Sequence, residues 1–158
     1  MIGDVPLAEL AGALYPVQEA LERAAAIGRL LRAADRNLAD AEVTQISAEN
    51  RFDAACKAIM QLAKPALQAN GYRTLTSRPG HHMTMIQTLG HTIGLDRLDI
   101  ITLDALRKQR NVADYSGDAV PESAVEQCIA SARELRDEVR AWLKRHRPAL
   151  LNDQGRGG

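Results

Sequence analysis

From Val17 the apolar positions Ala20, Leu21, Ala24, Ile27, Leu31, Ala34 and Leu38 recur three and four apart, while Glu19, Glu22, Arg29, Arg32, Arg36 and Asp40 mostly take the other side. That period predicts a long surface helix running to about Asp40, with Pro16 in its first turn and a short amphipathic piece, Leu7 to Leu14, before it. The polar stretch Glu42 to Ser47 resets the chain, and Ser47 predicts the N-cap of a second helix. Its stripe is Phe52, Ala55, Cys56, Ile59, Ala63 and Leu67, and Asn70-Gly71 supplies the left-handed exit. Pro65 is expected to kink this helix or end it early. Tyr72 to Gly80 reads as a loop presenting Arg73 and Arg78. A third helix from about His81 turns Met85, Ile86, Leu89 and Ile93 inward, with Gly90 and Gly94 weakening its end. A fourth runs from about Asp99 to Tyr115, and a fifth follows Pro121 on the stripe Val125, Cys128, Ile129, Ala132, Leu135, Val139 and Leu143. No strand and no internal repeat is expected. The pattern therefore predicts an all-α protein, an antiparallel bundle of about five helices. Residues 1–45 form an N-terminal helical segment packed on the bundle, 46–147 the bundle itself, and 148–158 a disordered tail.

Composition sharpens this picture in three respects. At 158 residues the chain is long enough for one core without metal or disulfide support, and its 3% aromatic share favours close-packed alanine-rich helices over sheets. Its 20 basic and 20 acidic residues cancel, which argues against the overall positive charge of a dedicated nucleic-acid binder and leaves only local patches. No stretch is long and apolar enough for a membrane span, and Cys56 and Cys128 lie on apolar stripes, where thiols behave as reduced, buried hydrophobes, so a cytoplasmic location is expected.

One stretch breaks the bland pattern. Leu103 to Asp118 reads LDALRKQRNVADYSGD, and Arg107, Arg110 and Asp114 fall within about 40° of Leu103 on a helix, on the face that should be buried. Ions there must be paired with each other, paired across an interface, or line a wet cleft. Arg110 and Asp114 form one i,i+4 pair and Asn111 and Tyr115 a second alongside it. The first can be a plain intrahelical salt bridge; together the four groups make a polar helix end suited to phosphate, with a planar guanidinium fork, a mixed amide and a ring with a hydroxyl. The histidines do not suggest a metal site. His82 and His91 point about 180° apart on a helix, His81 and His82 about 100°, and His146 lies far along the chain. His81 and His82 fit a helix start that donates to loop carbonyls or lies beside the charged end of helix four. No glycine-rich nucleotide loop, Walker element or serine-hydrolase elbow occurs, and no cofactor is expected. Lys144 to Arg147 read as cations at the negative end of a helix dipole, and Trp142 as core.

A late helix reading L-x-x-L-R-x-x-R-N-x-A-D-Y, preceded by Gly80-His81-His82 and a short apolar helix, resembles the HEPN domain superfamily over roughly residues 45 to 145. Members of that superfamily are antiparallel helical bundles, commonly homodimers, and many are metal-independent endoribonucleases of toxin-antitoxin or phage-defence systems. Their signature is an Arg, usually followed by Asn, Asp or His, and then a His. Arg110-Asn111 matches the first half, and Tyr115 stands where the His would follow four intervening residues. The resemblance implies a homodimer formed through the helix-four face, RNA as a partner and an antitoxin of the nucleotidyltransferase type. It implies Arg110, Asn111 and Tyr115 as the catalytic set, with Arg110 holding the scissile phosphate, Asn111 orienting it and Tyr115 positioning the 2′-hydroxyl. Arg107, Asp114, His81, His82 and Arg78 are the expected binding residues. A non-catalytic module that uses the same helix end to dimerise or to dock a partner is the alternative.

Overall fold

The computed structural model describes residues 14–16, 20–74 and 81–151, with side chains for 23–72 and 82–151. Its helices are α1 (Ala20–Ala41), α2 (Ala48–Ala69), α3 (His81–Gln87), α4 (Leu89–Thr92), α5 (Arg97–Ser116) and α6 (Glu122–His146). The architecture is an all-α bundle.

The central element is α2, which packs most extensively against α1 on one side and α6 on the other. Ile27, Leu31 and Leu38 of α1, Phe52, Ile59 and Leu62 of α2, and Val125, Val139 and Leu143 of α6 are all closed to solvent, which is the three-four stripe of each helix turned onto its neighbours. The caps follow local chemistry. Ser47 has extended backbone and its hydroxyl accepts from the Asn50 N–H at 3.2 Å, as its position before the stripe predicts. Gly117 takes φ +70° after α5, where its N–H closes on the Ala113 carbonyl at 2.9 Å, an exit that a side chain would strain.

Three expectations are corrected. Pro65 does not end α2, which continues to Ala69 with Pro65 buried inside it. The missing hydrogen bond is offset because α2 is clamped between α1 and α6 along its length. The third helix is interrupted at Thr88, whose hydroxyl donates to the Met85 carbonyl at 2.8 Å, giving the backbone a competing local bond. Two three-residue strands also occur, β1 (Leu14–Pro16) and β2 (Tyr72–Thr74), paired antiparallel with Tyr15 opposite Arg73. They occupy positions assigned to the Pro16 helix start and to the following loop, and they are too short to show an alternating pattern. The amphipathic segment before Leu14, the loop holding Arg78 and the tail from Asn152 lie outside the described residues.

The ends of three helices converge on Arg51, which is buried although charged. Its Nε donates to the Ala41 carbonyl at the end of α1 at 2.8 Å, and its Nη1 pairs with Glu122 in the first turn of α6. A helix C-terminus carries partial negative charge and unpaired carbonyls, so a guanidinium placed there satisfies both needs.

Candidate functional site

The buried residues of α5 are Ile100, Leu103, Asp104 and Leu106. Beyond Leu106 the inner face of the helix becomes charged. Arg107 is tied to the buried Asp104 through Nε at 2.8 Å, and Lys108 reaches the same carboxylate at 3.3 Å. Arg110 donates from Nε to Asp53 of α2 at 2.5 Å, while its Nη2 stands 3.9 Å from Asp114. The i,i+4 pair read in the sequence is thus the looser of the two contacts. Partial burial opposes the charge of Arg110, but the hydrogen bond and charge of Asp53, aided by Asp114, hold its pKa above the ordinary guanidinium value. Because Nε is the anchored atom, Asp53 fixes the plane of the fork and leaves its Nη edge to meet an oxyanion bidentately.

Arg107 and Arg110 line one wall of a cleft of about 260 Å³ between α2, α3 and α5. Lys57, Gln61 and Lys64 of α2 and His82 of α3 complete its polar lining, Ile59, Met60, Ile86 and Leu103 give it an apolar floor, and Cys56 opens onto it. None of its described lining residues is a carboxylate. Lys57 and Lys64, two helical turns apart, have no ion-pair partner among the described residues, whereas both arginines are partly neutralised by carboxylates outside the cleft. The cleft therefore carries excess positive charge on a chain of zero formal net charge. A second hollow, about 440 Å³ between α5 and α6, has the opposite character, with Asp99, Glu134, Asp137 and Glu138 against Arg145.

The expected site residues do not all meet. Arg107, Arg110 and His82 share the cleft, whereas Asp114, beside Arg110, lines a separate small hollow with Asp53. Asn111 is exposed, and Tyr115 is 96% exposed. Arg110 and Tyr115 are five positions apart, about 140° around the helix, so Tyr115 projects away from the cleft. His81 begins α3, but its side chain and all of Arg78 lie outside the described residues. His146 stacks near Trp142, with ring centroids 4.8 Å apart, and the Arg147 guanidinium lies 5.7 Å from the same ring, so the basic end of α6 covers the half-buried indole. Asp53, Lys57 and Lys64 were not singled out in the sequence, where they read as the polar side of an amphipathic helix.

Tyr115 joins a different feature. Leu98, Ile101, Val112 and Tyr115 are the large exposed apolar side chains of α5, and Ala105 is exposed between them. Their spacing of three, four, seven and three is a heptad seam, and Arg110 points about 180° from Ile101 across the helix. Lys108, 67% exposed, stands in the seven-residue gap of that stripe, while Arg107 and Arg110 face inward to the cleft.

Cys56 and Cys128 are free and buried, with Sγ atoms 3.4 Å apart between α2 and α6. The hydrogen bond with Cys56 and burial push the Cys128 thiol up, so it stays protonated.

These features define an α-helical bundle with an arginine-centred basic cleft on its penultimate helix. The family to which the chain belongs is the HEPN domain family, whose model matches residues 27–142. The match begins inside α1 and ends near the close of α6, so it includes the cleft and the apolar stripe. Comparison with the curated proteins and with the solved structures returns no match. No helix among the described residues is long and apolar enough to cross a membrane.

Proposed function

We propose that the protein binds RNA phosphate at Arg110, and that it acts as a metal-independent endoribonuclease in a toxin-antitoxin or defence-type system. The observation that carries this reading is the cleft in which Arg107, Arg110, Lys57 and Lys64 converge without a lining carboxylate. Arg110 is pre-aimed by Asp53, so the entropy of ordering its fork is spent before the ligand arrives. Its Nη edge suits the negative charge that grows on phosphate oxygens during transfer. Single-stranded RNA is the form that can enter, since its backbone and bases can be splayed against a side-chain surface.

A homodimer formed through α5 belongs to the same proposal. Leu98, Ile101, Ala105, Val112 and Tyr115 make a stripe, interrupted by the exposed Lys108, that water covers in the monomer, and its heptad spacing suits a second copy of the same helix. An antitoxin of the nucleotidyltransferase type is the proposed further partner, and the cytoplasm the proposed location.

The test is retention and cleavage of a single-stranded RNA oligonucleotide in EDTA by the wild type and by Arg110→Ala. Arg110→Ala is expected to bind at least about tenfold more weakly, as loss of a charge-assisted hydrogen bond implies, with a shallower salt dependence and no cleavage. An Arg110→Ala protein that binds and cleaves like the wild type refutes the reading.

A further inference from the structure

We infer that Cys56 and Cys128 are a peroxide-reactive pair that oxidises to an intramolecular disulfide, a reversible crosslink between α2 and α6 behind the basic cleft. The inference is independent of the RNA reading, since the sulfur chemistry needs no nucleic acid.

Three observations carry it. The two Sγ atoms are 3.4 Å apart, in contact as free thiols, although the residues are 72 positions apart in the chain. Small side chains flank them: Ala55 precedes Cys56, and Ala124 and Ala132 stand one turn to either side of Cys128, so the two helix backbones approach closely there. The last observation is access. Cys56 lines the cleft of about 260 Å³ and keeps 5% exposure, whereas Cys128 does not line it and is closed to solvent. A small oxidant entering the cleft therefore reaches one sulfur and finds the second directly behind it. A reachable thiol with a resolving thiol at its back is the arrangement that halts oxidation at the disulfide, short of the irreversible acids.

The oxidation takes two steps. Cys56 gives its proton to water, and its sulfur attacks one oxygen of hydrogen peroxide. The bond between the peroxide oxygens breaks, the departing hydroxide takes up a proton, and Cys56 is left as the sulfenic acid. The Cys128 sulfur then bonds to the Cys56 sulfur, the sulfur–oxygen bond breaks, and the Cys128 proton leaves with that oxygen as water. Two thiols together lose two electrons, and one peroxide is reduced to two waters. Cys128 keeps its proton until that moment, because its hydrogen bond with Cys56 and its burial push the thiol up. Closing the contact from 3.4 Å to the length of a disulfide, about 2 Å, turns the Cys56 sulfur toward α6 and away from the cleft. The bond also ties α6 to the helix that carries Asp53, Lys57 and Lys64.

The experiment treats the full wild-type chain, reduced beforehand, with hydrogen peroxide at neutral pH and reads intact mass and Tm. The sequence holds only these two cysteines, so a disulfide within one chain is necessarily this one. Oxidation is expected to remove two hydrogens from the intact mass, to leave no thiol open to alkylation after denaturation, and to be reversed by dithiothreitol. The crosslink closes a long loop, so Tm is expected to rise by about 5–15 °C. In Cys128→Ser the reaction is expected to halt at a sulfenic acid on Cys56 that dimedone traps, and in Cys56→Ser the remaining thiol is expected to stay unmodified. Thiols that stay free in the wild type, oxygen additions in place of the lost hydrogens, or crosslinks between chains overturn the inference. So does a disulfide that leaves Tm unchanged or lower, since such a bond strains the native packing instead of completing it. Dimedone labelling of Cys128 in Cys56→Ser overturns the assignment of Cys56 as the thiol that meets the peroxide.

Discussion

Replacing Arg51 with Met tests whether the bundle is held at its helix ends as well as in its apolar core. Met keeps most of the aliphatic stem and removes the guanidinium. The Ala41 carbonyl, on a residue fully closed to solvent, then loses the Nε donor at 2.8 Å. Orphaning a buried acceptor costs about 1–3 kcal/mol. The second contact weighs less, because the Glu122 side chain is 59% exposed and regains water when its partner goes, so screening holds that pair to roughly 1 kcal/mol or below. The sum is about 1–4 kcal/mol, which in a chain of 158 residues corresponds to a fall in Tm of about 2–16 °C. Urea unfolding followed by circular dichroism measures it, with Glu122→Gln as the internal comparison, expected to cost below about 1 kcal/mol. If Arg51→Met costs less than about 0.5 kcal/mol, or Glu122→Gln costs as much as Arg51→Met, the burial argument fails.

Two further outcomes follow from other parts of the molecule. Ile101→Glu places a charge in the exposed stripe, so the dimer proposed through α5 should give way to a monomer in sedimentation; because Ile101 is already 49% exposed in the protomer, secondary structure should be unaltered, and a wild type that is monomeric or a variant with unchanged dimer mass would rule out this interface. For Cys128 the folded thiol keeps its proton while the unfolded chain releases it near the ordinary value of 9.0, so the stability it contributes is complete below that pH and is lost as pH rises above it. Wild-type stability in urea should therefore fall by roughly 1 kcal/mol per pH unit more steeply than that of Cys128→Ala above about pH 9, and parallel pH dependences would refute the assignment.

The helices were legible in the sequence because each is long enough for its stripe to repeat, as with Phe52, Ala55, Cys56, Ile59 and Ala63 on α2. The charged inner face of α5 was legible for the same reason. What was not legible depends on which helices meet. Asp53 and Arg110 are 57 positions apart, and nothing in either neighbourhood announces the other. Arg51 looks like a solvated charge until the end of α1 and the start of α6 close over it. Cys56 and Cys128 each read correctly as buried, yet their contact needs the α2–α6 pairing. Tyr115 shows the reverse error. Sequence proximity suggested that it joins Arg110, but the 100° step between successive residues of a helix places five-position neighbours on nearly opposite sides.

The fully buried anchors of α5 all precede Arg107, so the turns that bear Arg110, Asn111 and Asp114 are attached to the body by the partly buried Ala113 and one part-exposed ion pair to Asp53. Such turns open locally at a free energy well below that of global unfolding, and their backbone amides should exchange with deuterium before those of the first half of the same helix. A phosphate that grips Arg110 would pin them, and slower exchange from residues 110–116 would then report occupancy of the cleft even where no RNA is cut.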